Sequence, residues 1–344
     1  MDLVHGLLLR APAGVERWPD WPLYGLESNL VPAAEDGIRR GDAMALATLV
    51  RVDGSSPRRV GSEMLITSAG SAHGYVSGGC VEAAVASEAL ECLRDGRPRT
   101  LHYGQGSPFF DIQLTCGGSI YVFVRRLEDP AWWVRQIRLA QDRRCPTFVV
   151  TDLTDGTMWQ ASTHVRSTNV TFVKRYDPQT RLVLVGSDPV TMATAILAGT
   201  IGIETLLWRP NGPPDPPCGV SLAGYFTHPA AEGLGPISLD RFTALYCLTH
   251  DMHLDVAILR AALDSDSFCV GVLGSRLKHT LRAQRLAEVG LQAEQVARLR
   301  SPAGLQIGAD DPFGIGLSIL AEVVAARNER SGDRTPYCGN RLVV

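Results

Sequence analysis

The first half of the chain alternates short apolar segments with glycine-rich turns. The pattern predicts strands at 43–52, 63–67, 74–77 and 119–124, and a helix at 81–93. The helix has apolar or small residues at helical spacing, and Asp95-Gly96 is typical of a helix end. Short strands joined by glycine turns around one helix indicate an α+β unit.

The residues on either side of this unit are less regular. Residues 1–35 are rich in Pro and Trp and predict an irregular lead-in. The segment 130–178 predicts a helix at 131–143 and strands near 147–151 and 170–174. We interpret this segment either as the completion of the first unit or as a bridge.

Beyond residue 178, continuous apolar runs alternate with amphipathic segments. Strands are predicted at 181–186, 203–208, 243–248 and 268–273, and helices at 190–197, 258–263, 277–289 and 312–327. Strands that alternate with helices pair in parallel, so we expect a Rossmann-like, doubly wound parallel sheet in an α/β protein.

These patterns predict an order of domains. The α+β domain is expected at 36–178, the Rossmann-like domain at 179–330 and a flexible tail at 331–344. The stretch 210–236 contains seven prolines and predicts a long loop. A length of 344 residues is sufficient for two domains of ordinary size.

Charge and hydropathy exclude several classes of protein. The net charge of −3 lacks the basic excess of a nucleic-acid binder, so no nucleic-acid partner is expected. No apolar run approaches the roughly 18–20 residues of a membrane span. The beginning of the sequence lacks the basic segment of a signal peptide, so we expect a cytoplasmic protein.

Two of the eight cysteines stand out by their neighbours. No pair of cysteines has CxxC or zinc-finger spacing, so a disulfide or zinc framework is not expected. Cys247 and Cys269 lie in apolar runs and are predicted to be buried. Cys80 follows Gly78-Gly79, and Cys116 precedes Gly117-Gly118. These two thiols are the candidates for chemistry.

The turn after the first predicted Rossmann strand is a degenerate dinucleotide fingerprint. Gly186 keeps the first glycine, whereas Asp188 and Thr191 replace the second and third. Asp188 is expected to cap the helix and to occupy the anion position. The next strand ends at Trp208-Arg209, without the acid that binds ribose hydroxyls. We therefore expect a structural Rossmann shell without ordinary NAD(P) binding.

A second anion site is predicted where another strand meets a helix. Gly274 and Ser275 precede the helix, whose amides could hold an oxyanion, and Arg276 could bind it with two donors. Helix capping alone would also explain Ser275. At the same sheet edge, His250 could be an acid–base group, or its ring could simply hydrogen-bond to Asp251 or Asp255.

Several motifs, taken together, resemble a known family. They are Gly54-Ser55-Ser56-Pro57-Arg58-Arg59, Ser77-Gly78-Gly79-Cys80-Val81-Glu82, Leu114-Thr115-Cys116-Gly117-Gly118, Thr249-His250-Asp251, Gly271-Val272-Leu273-Gly274-Ser275-Arg276 and Pro302-Ala303-Gly304-Leu305. In this order, over about residues 38–328, the chain resembles the XdhC/CoxI family of xanthine dehydrogenase accessory proteins.

The resemblance implies a molybdenum cofactor (molybdopterin) chaperone. Such a protein binds the cofactor, assists exchange of its terminal oxo ligand for sulfur with a cysteine desulfurase, and delivers it to an apo molybdenum hydroxylase. Implied contacts come from both glycine pairs and from Ser55, Arg58, Arg59, Cys80, Glu82 and Cys116, and in the second domain from Gly186, Gly274, Ser275 and Arg276. Whether the protein forms a homodimer is left open.

The residue types suit these implied roles. Glycine amides allow close approach of a phosphate or pterin edge, and an arginine can neutralise the phosphate. Cys80 and Cys116 offer soft sulfur for a molybdenum or sulfur contact. We expect the two thiols to line one accessible pocket. The purely structural interpretation is that the glycine pairs are tight turns and that both thiols are buried.

Two further interpretations stay open at this point. One is a redeployed NAD(P)-dependent oxidoreductase that acts on a small heterocyclic metabolite through His250 and Cys80. The other is an adaptor that only docks partner proteins. We favour an accessory factor over a turnover enzyme.

Overall fold

The structure is a computed structural model. It describes residues 26, 29–104, 107, 117–163, 165–229, 233–249 and 251–330, except for the side chains of Arg276 and Arg330. The described residues form two compact units, the first ending at Asp177 and the second beginning at Pro178.

The first unit is built on a five-stranded antiparallel sheet. Its elements are α1 (Val31–Arg40), β1 (Met44–Asp53), β2 (Glu63–Thr67), β3 (Ala72–Gly74), α2 (Glu82–Asp95), β4 (Arg99–Tyr103) and β5 (Ser119–Arg126), with strand order β3-β2-β1-β5-β4. Ala45, Ala47 and Leu49 of β1 pack in the cluster under α2. Met44 and Leu46 point to the opposite face, so β1 is covered on both sides.

A helix and a second, smaller sheet cover that opposite face. They are α3 (Pro130–Arg143), β6 (Thr147–Asp152), β7 (Met158–Ala161) and β8 (Thr171–Tyr176), with antiparallel order β7-β6-β8. Trp133, Val149 and Tyr176 belong to the same buried cluster as Met44 and Leu46. The segment 130–178 is therefore part of the first unit and not a separate bridge.

Two elements of the first unit have bounds that differ from the sequence prediction, and each difference has a local cause. The predicted lead-in of 1–35 was too long, because α1 begins at Val31, whose amide donates to the Asn29 side chain at 3.1 Å. The third strand is Ala72–Gly74 and not 74–77. Gly74 has φ +72°, and a Cβ there would lie 2.6 Å from the Glu63 carbonyl oxygen, so the strand ends at this glycine.

The second unit is a six-stranded parallel sheet with helices on both faces. Its elements are β9 (Arg181–Val185), α4 (Pro189–Thr200), β10 (Glu204–Trp208), β11 (Gly224–Phe226), β12 (Thr243–Cys247), α5 (Met252–Asp264), β13 (Cys269–Val272), α6 (Arg276–Glu288), α7 (Ala293–Val296), β14 (Leu299–Arg300) and α8 (Pro312–Arg330). The strand order is β11-β10-β9-β12-β13-β14. In chain order this is 3-2-1-4-5-6, which confirms the predicted Rossmann-like fold.

Each face of the parallel sheet has its own core. Ala195 of α4 and Ile319 of α8 lie in one buried cluster, and Ile258 of α5 and Leu286 of α6 lie in the other. The proline-rich stretch 210–236 is not entirely loop, since β11 pairs with β10 along Leu206–Trp208. Among the described helices, none is both long and apolar enough to cross a membrane.

Candidate functional site

Glycine turns from four parts of the chain meet at one end of the five-stranded sheet. A Cβ on Gly118 would lie 2.0 Å from the Ser55 carbonyl oxygen, and one on Gly104 would lie 2.3 Å from the Gly118 carbonyl oxygen. A Cβ on Gly78 would contact Pro57 Cγ at 3.4 Å. The first two approaches require glycine, whereas the third is an ordinary van der Waals contact. Together they bring residues 54–58, 77–80, 104 and 117–118 into one glycine cluster.

Cys80 presents its thiol at the edge of this cluster. Its side chain is exposed, and its amide donates to Ser77 Oγ at 3.2 Å, two residues before α2 begins at Glu82. An exposed thiol beside a helix N-terminus can contact a soft metal or sulfur atom. Cys116 lies outside the described residues, so its convergence with Cys80 stays a prediction.

Glu82 holds the loop that carries Cys80. Its side chain is 1% exposed. Its carboxylate accepts the amides of Val76 (3.2 Å), Ser77 (2.7 Å) and Val81 (3.2 Å), and also Ser77 Oγ at 2.8–2.9 Å. These bonds give Glu82 a positioning role behind the loop. These bonds do not test the predicted contact of Glu82 with the cofactor.

Arg58 is the better placed of the two predicted cations. Its guanidinium lies 4.2 Å from the centre of the Tyr75 ring, which immediately precedes the loop held by Glu82. Arg58 Nε is buried and has no acceptor within hydrogen-bonding distance in the described part of the chain. Arg59 is exposed, and its carbonyl accepts from the amide and hydroxyl of Ser62. A buried donor without an acceptor favours Arg58 as the anion contact.

The degenerate dinucleotide turn is closed by its own side chains. The Asp188 carboxylate accepts from the Thr191 amide at 2.8 Å and from Thr191 Oγ1 at 2.6 Å. A Cβ on Gly186 would lie 2.5 Å from Thr191 Oγ1. Asp188 thus covers first-turn groups of α4 that a phosphate would use.

A cavity nevertheless remains beside this turn. It has a volume of 330 Å³ and lies between the carboxyl ends of β9 and β12, lined by Gly186, Ser187, Asp188, Pro210, Leu248, Thr249 and Leu254. Trp208, at the end of β10, is buried and donates from Nε1 to the His228 carbonyl at 3.0 Å. Parallel sheets bind ligands in such a crevice, and the expected absence of NAD(P) stays a prediction.

The second predicted anion site lies at the end of β13. Ser275 caps α6, and its Oγ accepts the Lys278 amide at 3.4 Å. Arg276 begins the helix, but its side chain lies outside the described part, as does all of His250. Asp251 caps α5 and accepts the amides of His253 and Leu254.

Sequence reasoning missed three residues of these sites. Gly104 belongs to the glycine cluster, Tyr75 stacks on Arg58 of that cluster, and Arg282 forms a buried ion pair with Asp255. No sequence signal marked Gly104, because the segment before it, Arg99–Tyr103, mixes polar and apolar residues. Arg282 is seven residues after Ser275, a spacing that places both on one face of a helix.

The cysteines predicted to be buried behave as core residues. Cys247 is fully buried and Cys269 is 3% exposed. Burial raises the pKa of the Cys247 thiol, and raises that of Cys269 to about 11. Neither can act as a thiolate near neutral pH, so Cys80 is the better candidate for chemistry. In the described part of the chain, no group of three or more His, Cys, Asp or Glu could hold a metal ion.

Comparison with known proteins gives matches over both units. Residues 38–104 match the model of the XdhC and CoxI family, and residues 182–323 match the XdhC Rossmann domain. The chain is 32% identical over 309 residues to the molybdenum cofactor insertion chaperone PaoD of Escherichia coli, covering 87% of this chain and 88% of that protein.

Two more distant proteins have similar extent. A Bacillus subtilis protein described as a probable xanthine dehydrogenase subunit is 26% identical over 319 residues, covering 82% of this chain and 92% of that protein. A crystal structure of a Bacillus halodurans protein, described as a xanthine dehydrogenase, has a TM-score of 0.73 at 22% identity. That match covers 89% of this chain and 98% of the other. At this identity, the structural likeness speaks to the fold alone.

Proposed function

Because the chain belongs to the XdhC and CoxI family, we propose that it is a chaperone that binds the molybdenum cofactor and delivers it to an apo molybdenum hydroxylase. The relative named a molybdenum cofactor insertion chaperone supports this role, since the similarity extends over nearly the whole of both chains. In this proposal, the cofactor is cargo that is received and released.

The observation that carries the proposal is the glycine cluster with an exposed thiol on its edge. The cargo combines a phosphate, a flat pterin and a metal with soft ligands. Exposed backbone that a phosphate or pterin edge can approach is present at Gly78, Gly79 and Gly117. The neighbouring Gly118 packs against the Ser55 backbone. Each part of the cargo therefore has a matching group in the cluster.

Arg58 and Cys80 have different roles in this proposal. The unpartnered Nε of Arg58 would donate to the cofactor phosphate, while its guanidinium stays stacked on Tyr75. The Cys80 thiol would contact the metal or its sulfur ligands, with Cys116 as a second thiol. Glu82 would keep the Cys80 loop in place without touching the cargo.

We also propose the step that precedes delivery. While the chaperone holds the cofactor, sulfide would replace the terminal oxo ligand of the metal, which leaves as water. A cysteine desulfurase would supply the sulfur as a persulfide, and a thiol reductant would supply the two electrons that convert it to sulfide. An exposed thiol loop suits such a partner, because the cargo can be reached from outside. Light scattering on the same preparation would measure whether the protein forms a homodimer.

Copurification tests the cofactor-binding part directly. The protein is isolated from a host that makes molybdenum cofactor, and the bound molecule is identified by mass spectrometry. We expect near-stoichiometric cofactor with the natural chain and with Cys145→Ala, a matched variant of another exposed thiol in the first unit. Cys80→Ala should retain far less. Equal cofactor content in both variants would contradict the proposal.

Arginine variants test how the cluster recognises the phosphate. Arg58→Gln removes the buried, unpartnered donor, whereas Arg59→Gln changes an exposed neighbour. We expect roughly tenfold weaker retention in the first variant and little change in the second, since charged hydrogen bonds contribute about 1.5–3 kcal/mol. The reverse order would assign the phosphate contact to Arg59.

Delivery is tested by reconstituting an apo molybdenum hydroxylase with the loaded protein. We expect faster and more complete activation than with free cofactor, and reconstitution that proceeds equally well without the protein would count against delivery. The alternative of an NAD(P)-dependent oxidoreductase is not favoured by the named relatives. Titration calorimetry with NAD(P) would test separately whether the chain binds the cofactor that such an oxidoreductase needs.

A further inference from the structure

The second unit contains a buried arginine with one more donor than its surroundings accept. Arg282 is 2% exposed, and its Nε and Nη2 donate to Asp255 Oδ2 at 2.9 and 2.5 Å. Its Nη1 is buried and has no acceptor among the described residues. The other Asp255 oxygen already accepts from Thr249 Oγ1 and Cys247 Sγ. The carboxylate is therefore fully used, and Nη1 needs an acceptor from elsewhere.

The unpartnered donor lies against the bare side of the Gly274 turn. The point where a Cβ of Gly274 would stand is 2.7 Å from Arg282 Nη1 and 3.5 Å from Lys278 Cδ. Gly274 has φ +146°, a conformation that favours glycine. Because Gly274 has no side chain, the Arg282 guanidinium can lie directly against the backbone of the turn, beside Lys278.

The same turn begins a helix whose N-terminus carries no acid. Helix α6 has 13 residues and no acidic residue in its first turn. Ser275 Oγ takes the Lys278 amide, and the remaining first-turn amides have no partner within the helix. They add positive potential at the carboxyl edge of a parallel sheet, where ligands of this fold bind.

We propose that the Gly274 turn binds a phosphate group, which accepts from Arg282 Nη1 and the first-turn amides of α6 and is neutralised by Lys278. The ligand is either free phosphate or a phosphate monoester. This site lies within the second unit and uses none of the residues of the glycine cluster. Its failure would therefore leave cofactor binding by the glycine cluster untouched, and would remove only the support for the implied cofactor contacts at Gly274, Ser275 and Arg276.

The lysine content of the chain provides a direct probe. Lys174 and Lys278 are its only lysines, so reductive methylation with 13C-formaldehyde labels these two side chains and the amino terminus. Methylation preserves the charge of lysine. Titration of the full chain with inorganic phosphate should shift the Lys278 resonance in a saturable way. The Lys174 resonance, from a side chain that donates to the Gly61 carbonyl in the first unit, should not move.

Two glycine variants separate ligand binding from backbone strain. Gly274→Ala places a methyl group beside Arg282 Nη1, whereas Gly290→Ala, just beyond α6, also strains a positive φ but has open space around it. We expect at least about tenfold weaker phosphate binding in the first variant and less than about twofold change in the second. Thermal melting would show that both are folded.

The ligand series identifies the source of the phosphate group. A nucleoside monophosphate that binds at least about tenfold tighter than inorganic phosphate would indicate a phosphate monoester, and equal affinity would indicate free phosphate. Potassium chloride at matched ionic strength is the control for screening. A Lys278 resonance that does not saturate with either ligand, or a Gly274→Ala variant that binds as well as the natural chain, would overturn the proposal.

Discussion

Both units place a glycine turn and an acidic residue at the start of a helix, but the acid lies in different positions. In the first unit, Glu82 is the first residue of α2 and turns back into the preceding loop, where its carboxylate is buried. In the second unit, Asp188 precedes α4 and caps that helix directly. The first arrangement leaves Cys80 exposed, whereas the second fills the position that an anion would take.

The turn at Gly274 provides a third arrangement. There the acid is Asp255, on the neighbouring helix α5, and it is neutralised by Arg282 rather than by helix amides. The N-terminus of α6 keeps its positive potential as a result. The three turns show that an acid near a glycine turn does not by itself predict whether the turn can bind an anion. Whether the turn can bind an anion depends on which groups the acid already binds.

The largest effect is expected from breaking the buried ion pair of the second unit. Asp255→Asn should lower the free energy of unfolding by about 3–5 kcal/mol, because it leaves the Arg282 charge buried without a partner. Urea unfolding measures the loss. Asp264→Asn, an exposed carboxylate on the same helix, should change stability by no more than about 0.5 kcal/mol. If Asp255→Asn lost as little stability as the control variant, the ion pair would not be important for stability.

The next effect concerns the acid of the first unit. Glu82→Ala should lower the free energy of unfolding by about 3 kcal/mol, since it leaves several buried amides of the 76–81 loop without acceptors. It should also alter the rate at which Cys80 reacts with a thiol reagent. Glu91→Ala, an exposed acid on the same helix, is the control. If Glu82→Ala is destabilised but Cys80 still reacts with the reagent at the natural rate, the bonds of Glu82 to the loop do not position the thiol.

Alkaline pH should weaken the second unit through its buried thiols. An unfolded thiol loses its proton near pH 9.0, whereas the pKa of folded Cys269 is about 11. Between these values the folded state binds more protons, so stability is full below pH 9 and falls as pH rises towards 11. At about pH 10, Cys269→Ala should show about 1.4 kcal/mol less alkaline destabilisation than the natural chain.

Denaturation at a series of pH values measures this slope. Cys145→Ala, which removes an exposed thiol, should leave the slope unchanged. The pKa of Cys247 is raised in the same direction, so part of the slope should persist in the Cys269 variant. A slope that is identical with and without the Cys269 thiol would contradict this account.

The smallest effect is expected at the cap of α4. Asp188→Ala should cost about 1 kcal/mol of unfolding free energy, because the Thr191 amide and hydroxyl lose their acceptor. Asp188→Asn should cost only a few tenths, since asparagine caps nearly as well. Thermal unfolding of the two variants distinguishes them. An equal loss in both would indicate that the charge of Asp188, and not its capping oxygen, stabilises the turn.

Most secondary structure was readable from hydrophobic spacing, and the exceptions lack a regular apolar pattern. Strands β9, β10, β12 and β13 of the second unit were predicted because they are buried on both faces and form continuous apolar runs. The short strands β11 and β14 were not predicted. Strand β4 was missed because its sequence, Arg99–Tyr103, mixes polar and apolar residues. Its place beside β5 comes from pairing with residues about 20 positions away, which local spacing does not encode.

The candidate site was predictable in its parts but not in its assembly. The motifs indicated Cys80 and the glycine pairs, and the structure brings Gly78 and Gly118 into contact with the loop after β1. Gly104 lies against Gly118. The positioning role of Glu82, and the preference for Arg58 over Arg59 as the anion contact, could not be read from the sequence. They depend on which donors and acceptors are already taken, and this is known only once the loops are packed together.

By itself, the sequence determined the fold class, because burial of regularly spaced apolar residues is a local requirement that any fold of this chain must meet. It also determined where glycines and thiols occur along the chain. Only the tertiary structure decided that Gly118 meets Ser55 and that Arg282 pairs with Asp255, 27 residues away. Those contacts follow from close packing of distant segments, and among the described residues this packing leaves a buried arginine donor without an acceptor in each unit.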